Sequence, residues 1–176
     1  MANIIKLHLG CGPHILQNFK NVDLMPGPGG IQWDLRQGIQ EETGTVDVIF
    51  TEHLIEHLKQ REGVFFLADC YRCLKPGGVL RVSTPSLKSL VNDYRMKKLD
   101  RFRGTWEPET PARMLNEAFR LWGHEFLYDI DELVNVLYSV GFAEVIERDW
   151  HKSRHLDLQN LEVRPYRNDL IVEATK

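Results

Sequence analysis

Gly10-Cys11-Gly12 directly follows a short apolar run, Ile4 to Leu9, and Asp23 comes eleven residues after Gly12 at the end of a second run. Neither glycine carries a Cβ, so the backbone there can turn sharply and approach a bound molecule closely. In an open α/β sheet, ligands sit outside the carboxyl ends of the strands. A carboxylate at Asp23, beside that turn, suits the two hydroxyls of a ribose. A dinucleotide site would require a third glycine, a helix and an acid about 20 residues on. Here position 15 is Ile, and little or no helix fits between Gly12 and Asp23. Without a helix N-terminus there is no ready pyrophosphate cradle, so a dinucleotide is disfavoured.

His53-Leu54-Ile55-Glu56-His57 formally matches the inverted zinc-protease pattern His-x-x-Glu-His. On a helix both imidazoles would share one face and could hold Zn²⁺, with the glutamate as base. The stretch begins immediately after a buried-strand pattern, however. That context favours a helix start whose His and Glu bond nearby backbone or line a pocket, and no metal is expected. Cys70 and Cys73 form a lone Cys-x-x-Cys inside a helical pattern, without a second pair or a helix N-terminus; they read as small buried residues. Arg95, Lys97, Lys98, Arg101 and Arg103 form a basic cluster broken by Asp100. It reads first as a solvated helix face, with an anion-binding flap as the functional version.

Strands and helices must position these groups. Runs at Ile4–Leu9, Phe19–Leu24, Ile31–Asp34, Val46–Thr51, Val79–Ser83, Ala143–Ile146 and Asp169–Ala174 read as strands. The run at Val46 is nearly all apolar, as a parallel strand buried on both faces requires. Val64, Leu67, Ala68, Tyr71 and Leu74 recur at helical spacing, stopped by Lys75-Pro76-Gly77-Gly78. Further helices are predicted over Leu87–Leu99 and Ala112–Leu121, with Gly104–Pro111 as a loop between them. Asp129 and Glu132 form a capping-box pattern before the stripe Ile130, Leu133, Val134, Leu137 and Val140, and Gly141 sits at the C-cap. Alternating strands and helices predict an α/β fold, with helices on the faces of the sheet.

The 176 residues carry a formal net charge of −3, with 43% hydrophobic and 27% charged residues. That composition fits one globular domain and argues against a disordered chain or a generic nucleic-acid coat. Three cysteines imply no disulfide framework. No apolar run is long enough to span a bilayer, and the first residues do not form a signal peptide. The expected location is cytoplasmic.

In order, Leu7-His8-Leu9-Gly10-Cys11-Gly12, Asn21-Val22-Asp23-Leu24, Asp34-Leu35, Val46-Asp47-Val48-Ile49, Glu52-His53-Leu54-Ile55-Glu56-His57-Leu58 and Leu74-Lys75-Pro76-Gly77-Gly78 resemble a class I S-adenosylmethionine-dependent methyltransferase. The small bacterial type with a shortened first helix is the nearest match. The resemblance covers roughly residues 5 to 90 and resumes at Trp122-Gly123-His124, at Gly141-Phe142 and at the last strand.

It implies a doubly wound, Rossmann-like sheet of seven strands, mostly parallel with an antiparallel last strand. It implies a single domain over 1–176, with 86–128 as a substrate-side insertion. S-adenosyl-L-methionine would be the cofactor. Gly10 and Gly12 would pass under its methionine part. Asp23, followed by Leu24, would hold the ribose. Asp34 and the Leu35 backbone would meet the adenine edge, and Glu52 and His53 would border the methionine end. His8 departs from the acid that many members carry two residues before the first glycine, so a contact to the cofactor's ammonium is open there; His8 reads as packing or bonding locally.

Trp106, Phe119, Trp122, His124, Phe126 and Tyr128 would supply aromatic walls and polar tips for an acceptor pocket. His53 or His124, with Glu52 behind them, would be the catalytic base if the acceptor requires one. The expected partner is a small-molecule acceptor, with neither membrane nor nucleic acid, and a homodimer is compatible. An inactive cofactor-binding module is the runner-up. A nucleic-acid methyltransferase and a zinc protease follow behind.

Overall fold

The computed structural model describes residues 4–100, 104–165 and 168–176. The chain alternates strands and helices as its periodicity predicts: β1 Lys6–Leu9, β2 Lys20–Asp23, β3 Ile31–Gln32, β4 Val46–Glu52, α1 Gln60–Cys73, β5 Leu74–Thr84, α2 Leu87–Met96, α3 Pro111–Ala118, α4 Ile130–Val140, β6 Glu144–Glu147 and β7 Leu170–Thr175. The seven strands lie in one sheet of order β3-β2-β1-β4-β5-β7-β6. Neighbours from β3 through β5 pair in parallel, and β7 runs antiparallel to both β5 and β6. This is the doubly wound α/β order, with its switch point between β1 and β4.

Local sequence explains most boundaries. Asp129 caps α4, its carboxylate accepting the Glu132 N–H at 2.9 Å, while Gly141 closes the helix at φ 117°. Only half of the expected capping box forms, because the Glu132 side chain accepts from Gln60 instead. Lys75-Pro76-Gly77-Gly78 ends α1, but those residues join β5 rather than a loop. The sheet accommodates them as an irregularity between the Leu74–Val46 and Val79–Val48 pairs. Between Gly12 and Lys20 there is no helix, as the short spacing to Asp23 requires.

The two faces of the sheet differ. On one, Leu7, Leu9, Val22, Ile49, Leu80, Val82 and Val172 pack under Phe66, Leu67 and Cys70 of α1 and Leu133 and Leu137 of α4. Cys73 joins the same core, so both cysteines of the pair are buried, and burial pushes both thiols up. On the other face, Val48, Phe50 and Val79 meet Leu16, Phe19 and Leu161 of irregular segments and Leu158 of a single 3-10 turn, Leu156–Leu158. Buried polar residues share that second face. Arg81 donates to Glu162 at 2.6 Å and to Glu173 at 2.7 Å, and Arg148 donates to Glu173 at 2.8 Å.

Helices α2 and α3 form a small core of their own from Leu90, Met114, Ala118 and Leu127. Arg95, Lys97 and Lys98 are exposed where α2 ends, as the field of a helix C-terminus favours. Arg101 and Arg103 lie outside the described residues. No helix among the described residues is long and apolar enough to cross a membrane.

Candidate functional site

The glycine turn sits at the carboxyl end of β1. Gly10 has φ +77° and Gly12 φ +50°, conformations that side chains with a Cβ adopt at a cost. A Cβ on Gly10 would lie 2.8 Å from that of Leu54, so Gly10 is required by close packing. A Cβ on Gly12 would meet nothing within 4 Å, so that side of the turn is open to a ligand. The Asp23 carboxylate accepts the Gly12 and Met25 N–H groups, each at 2.8 Å, and so braces the turn. Each carboxylate oxygen has a second lone pair for an incoming hydroxyl. Leu24, next in line, is exposed.

Asp34 caps a single 3-10 turn, Leu35–Gln37, beyond β3. Its carboxylate pairs with Arg36 through two contacts of 2.8 Å, and that pairing holds it below the usual carboxylate range. Leu35 is buried in the main core.

His8 is buried, bonded to Asn21 at 3.0 Å and packed on the Phe50 ring. Burial lowers its pKa from 6.5 to about 4 against the opposing hydrogen bond, so it is neutral and offers no anion to an ammonium. In the unfolded chain the ring takes a proton near pH 6.5, whereas in the folded one it does so only near 4. The stability this gives is therefore complete above pH 6.5 and is lost as pH falls towards 4, up to about 3 kcal/mol. In urea denaturation from pH 7 to 4, H8Q should lose less stability than the parent by an amount of that order. Parallel curves for the two proteins would contradict the assignment.

At the end of β4 the structure departs from the helical reading of His53 to His57. His53 adopts φ +51° and a 3-10 turn follows over Ile55–His57, so the imidazoles do not share a helix face. Glu52 accepts the Val163 and Arg164 N–H groups, both at 3.1 Å. His53 lies between two carboxylates, Asp169 at 2.6 Å from Nε2 and Glu56 at 3.2 Å from Nδ1. Burial opposes its charge, but these partners overcome it and raise its pKa to about 10. A ring so held is an imidazolium at neutral pH.

A cavity of about 530 Å³ opens beside His53. Its walls include His57, Pro85, Ser86, Leu90, Trp106, Trp122, His124, Arg164, Asn168 and Asp169. Trp106 and Trp122 meet edge to face at 5.3 Å. His124 Nδ1 lies 2.7 Å from the Ala118 carbonyl, which fixes the proton there and leaves Nε2 bare; burial lowers its pKa.

Of the residues read as acceptor-pocket walls, Trp106, Trp122 and His124 line this cavity, whereas Phe119, Phe126 and Tyr128 do not. Tyr128 is buried in the main core, its hydroxyl against Gly63 of α1. Gly10, Gly12, Asp23, Leu24, Asp34 and Leu35 also lie outside the cavity lining, along the adjoining strand edge. The sequence reading did not include Asp169, Arg164 and Asn168. They belong to the approach to β7, where nothing local marks a site.

The family described as "Methyltransferase domain" matches residues 16–82. A probable S-adenosylmethionine-dependent methyltransferase of Mycolicibacterium smegmatis is 30% identical over 119 residues, 65% of this chain and 42% of the relative. The chain thus spans under half of that relative's length. Among solved structures, a SAM-dependent methyltransferase from Archaeoglobus fulgidus superposes with a TM-score of 0.61 at 16% identity, covering 99% of this chain and 87% of the other. One from Mesorhizobium loti gives 0.56 at 14% identity, covering 99% and 92%. The strand order and these matches show that the chain has the fold of the class I S-adenosylmethionine-dependent methyltransferases and is similar to them in sequence over residues 16–82.

Proposed function

We propose that the chain transfers a methyl group from S-adenosylmethionine to a small-molecule acceptor held in the cavity. The observation that carries this reading is that the glycine turn and the cavity adjoin at one point. Gly10 packs against Leu54, and the preceding residue, His53, is a cavity wall. A cofactor laid along the turn would then direct its reactive end at the cavity. The residues present fit it. The open side of Gly12 admits a ligand against the backbone, and Asp23 keeps lone pairs for ribose hydroxyls. Asp34 and Leu35 stand one strand further out, where the base would lie, although Asp34 must share its carboxylate with Arg36.

When bound, the cofactor supplies a methyl already activated by its sulfonium, so the protein's main task is alignment. His53, with both ring nitrogens engaged, acts as an anchor: it ties the start of β7 to the end of β4 through Asp169. It has no lone pair with which to take a proton. His124 does keep a bare Nε2 at the cavity and is the acceptor-side imidazole. The Trp106–Trp122 pair offers an apolar wall to the body of the acceptor.

Calorimetric titration of S-adenosylmethionine and its demethylated product into the chain tests the reading. One saturable site for each is expected. Absence of binding by both would overturn it.

A further inference from the structure

Glu56, His57 and His124 bring one ligand atom each within 4.8 Å of one another. This is not the set that the His-x-x-Glu-His pattern names. His53 is committed to Asp169 and Glu56, and its place is taken by His124, far along the chain. The backbone holds the two segments together, because the Glu125 and Phe126 N–H groups donate to the Glu56 carbonyl at 2.8 and 3.2 Å.

We propose that Glu56, His57 and His124 bind one divalent transition-metal ion, whose open positions face the cavity and take an oxygen of the acceptor. The ion-binding half stands on these side chains alone. The acceptor half rests on the methyltransferase reading above and narrows its substrate class to molecules that carry an oxygen donor able to reach the ion.

The outer contacts of each group support the site. A metal-bound histidine usually donates its other ring N–H to a carbonyl or carboxylate, which orients the ring. His124 does so, with Nδ1 2.7 Å from the Ala118 carbonyl and Nε2 left free. A ligating carboxylate is usually hydrogen-bonded as well. Glu56 is fully buried and accepts the Thr84 hydroxyl at 2.9 Å through Oε2. Its Oε1 faces His53 Nδ1 at 3.2 Å as an ion pair without a geometric hydrogen bond, and a carboxylate oxygen so paired keeps a lone pair that an ion can share. The His57 ring makes no hydrogen bond among the described residues and meets the His124 ring edge to face at 4.9 Å.

Ligand atoms about 2.0–2.2 Å from an ion lie roughly 3–3.5 Å apart, so small side-chain rotations close the set. Two imidazoles and one carboxylate suit zinc, manganese, iron or cobalt better than magnesium or calcium. Three protein ligands leave positions for outside oxygens, as in catalytic rather than structural sites. His57 and His124 line the cavity while Glu56 is buried behind them, so those positions open towards the acceptor.

The test uses the full chain, stripped with a chelator and titrated with Co²⁺ alone and then with Zn²⁺. Visible absorption bands of bound Co²⁺ should saturate at one equivalent and be displaced by Zn²⁺. H57A and H124A should each weaken binding at least a hundredfold, with circular dichroism and melting curves showing that both remain folded. T84V, which removes only an outer hydrogen bond, should cost roughly ten- to a hundredfold. Acetohydroxamate, an oxygen chelator, should shift the bands if open positions exist. No saturable binding, or affinity in both histidine variants equal to the parent's, would overturn the site. Unshifted bands would overturn the acceptor half. Titrating the demethylated cofactor into the stripped protein separates the two readings. Cofactor binding without ion binding removes only this inference, and ion binding without cofactor binding removes the methyltransferase reading together with the acceptor half.

Discussion

R81L should lose about 3–5 kcal/mol of stability, the usual cost of breaking a buried ion pair by removing one partner. Arg81 is fully buried on β5. Its guanidinium bonds Glu162, Glu173 and the Lys152 carbonyl. Without it, the buried Glu162 carboxylate loses its guanidinium partner, while Glu173 keeps its contact with Arg148. The damage should centre on the face of the sheet that irregular segments cover, because there the network ties β5 to residues 152 and 162. Thermal unfolding should shift down by roughly 10 °C, given about 2–4 °C per kcal/mol for a chain of this size. Adding E162Q and E173Q to R81L should recover part of the loss, since an uncharged set no longer holds bare carboxylates. A loss under 1 kcal/mol in R81L would sink the idea that this network fastens the segment.

The same arginine shows where sequence reading stops. Val79 to Ser83 reads as a buried strand, and the structure agrees, but nothing near Arg81 names partners 81 and 92 residues away. What is legible depends on local rules. The α/β class follows from the alternation of elements, Gly141 from its place after a helical stripe, and the missing first helix from the short spacing between Gly12 and Asp23; the doubly wound sheet follows from the family resemblance alone. What is not legible depends on tertiary placement. Glu52 lies where a cofactor contact was expected, yet its carboxylate serves backbone N–H groups of residues 163 and 164. Tyr128 reads as a pocket wall but lies in the core beside a glycine of α1 that makes room for its hydroxyl. His57 and His124 meet where the Glu125 and Phe126 N–H groups donate to the Glu56 carbonyl, near Trp122 at φ 60°, an unusual conformation for so bulky a residue that its type does not announce.

D23A should weaken binding of S-adenosylmethionine and of its demethylated product at least a hundredfold. Two hydrogen bonds to a charged acceptor, at about 1.5–3 kcal/mol each, together exceed the roughly 2.8 kcal/mol that a hundredfold change requires. The substitution also removes the brace on Gly12 and Met25, so the turn loses its preorganised shape as well as its acceptor. D23N separates the two contributions, because its carbonyl can still accept at one side; an intermediate loss, nearer tenfold, is expected. D34A provides the contrast. That carboxylate is already satisfied by Arg36 and by its cap on the 3-10 turn, so a ligand gains less from it, and its removal should cost less than removal of Asp23. Calorimetry on the three variants reads the order directly. If D23A binds within threefold of the parent, Asp23 serves the turn alone, and the ribose must be held by another group along the β1–β2 edge.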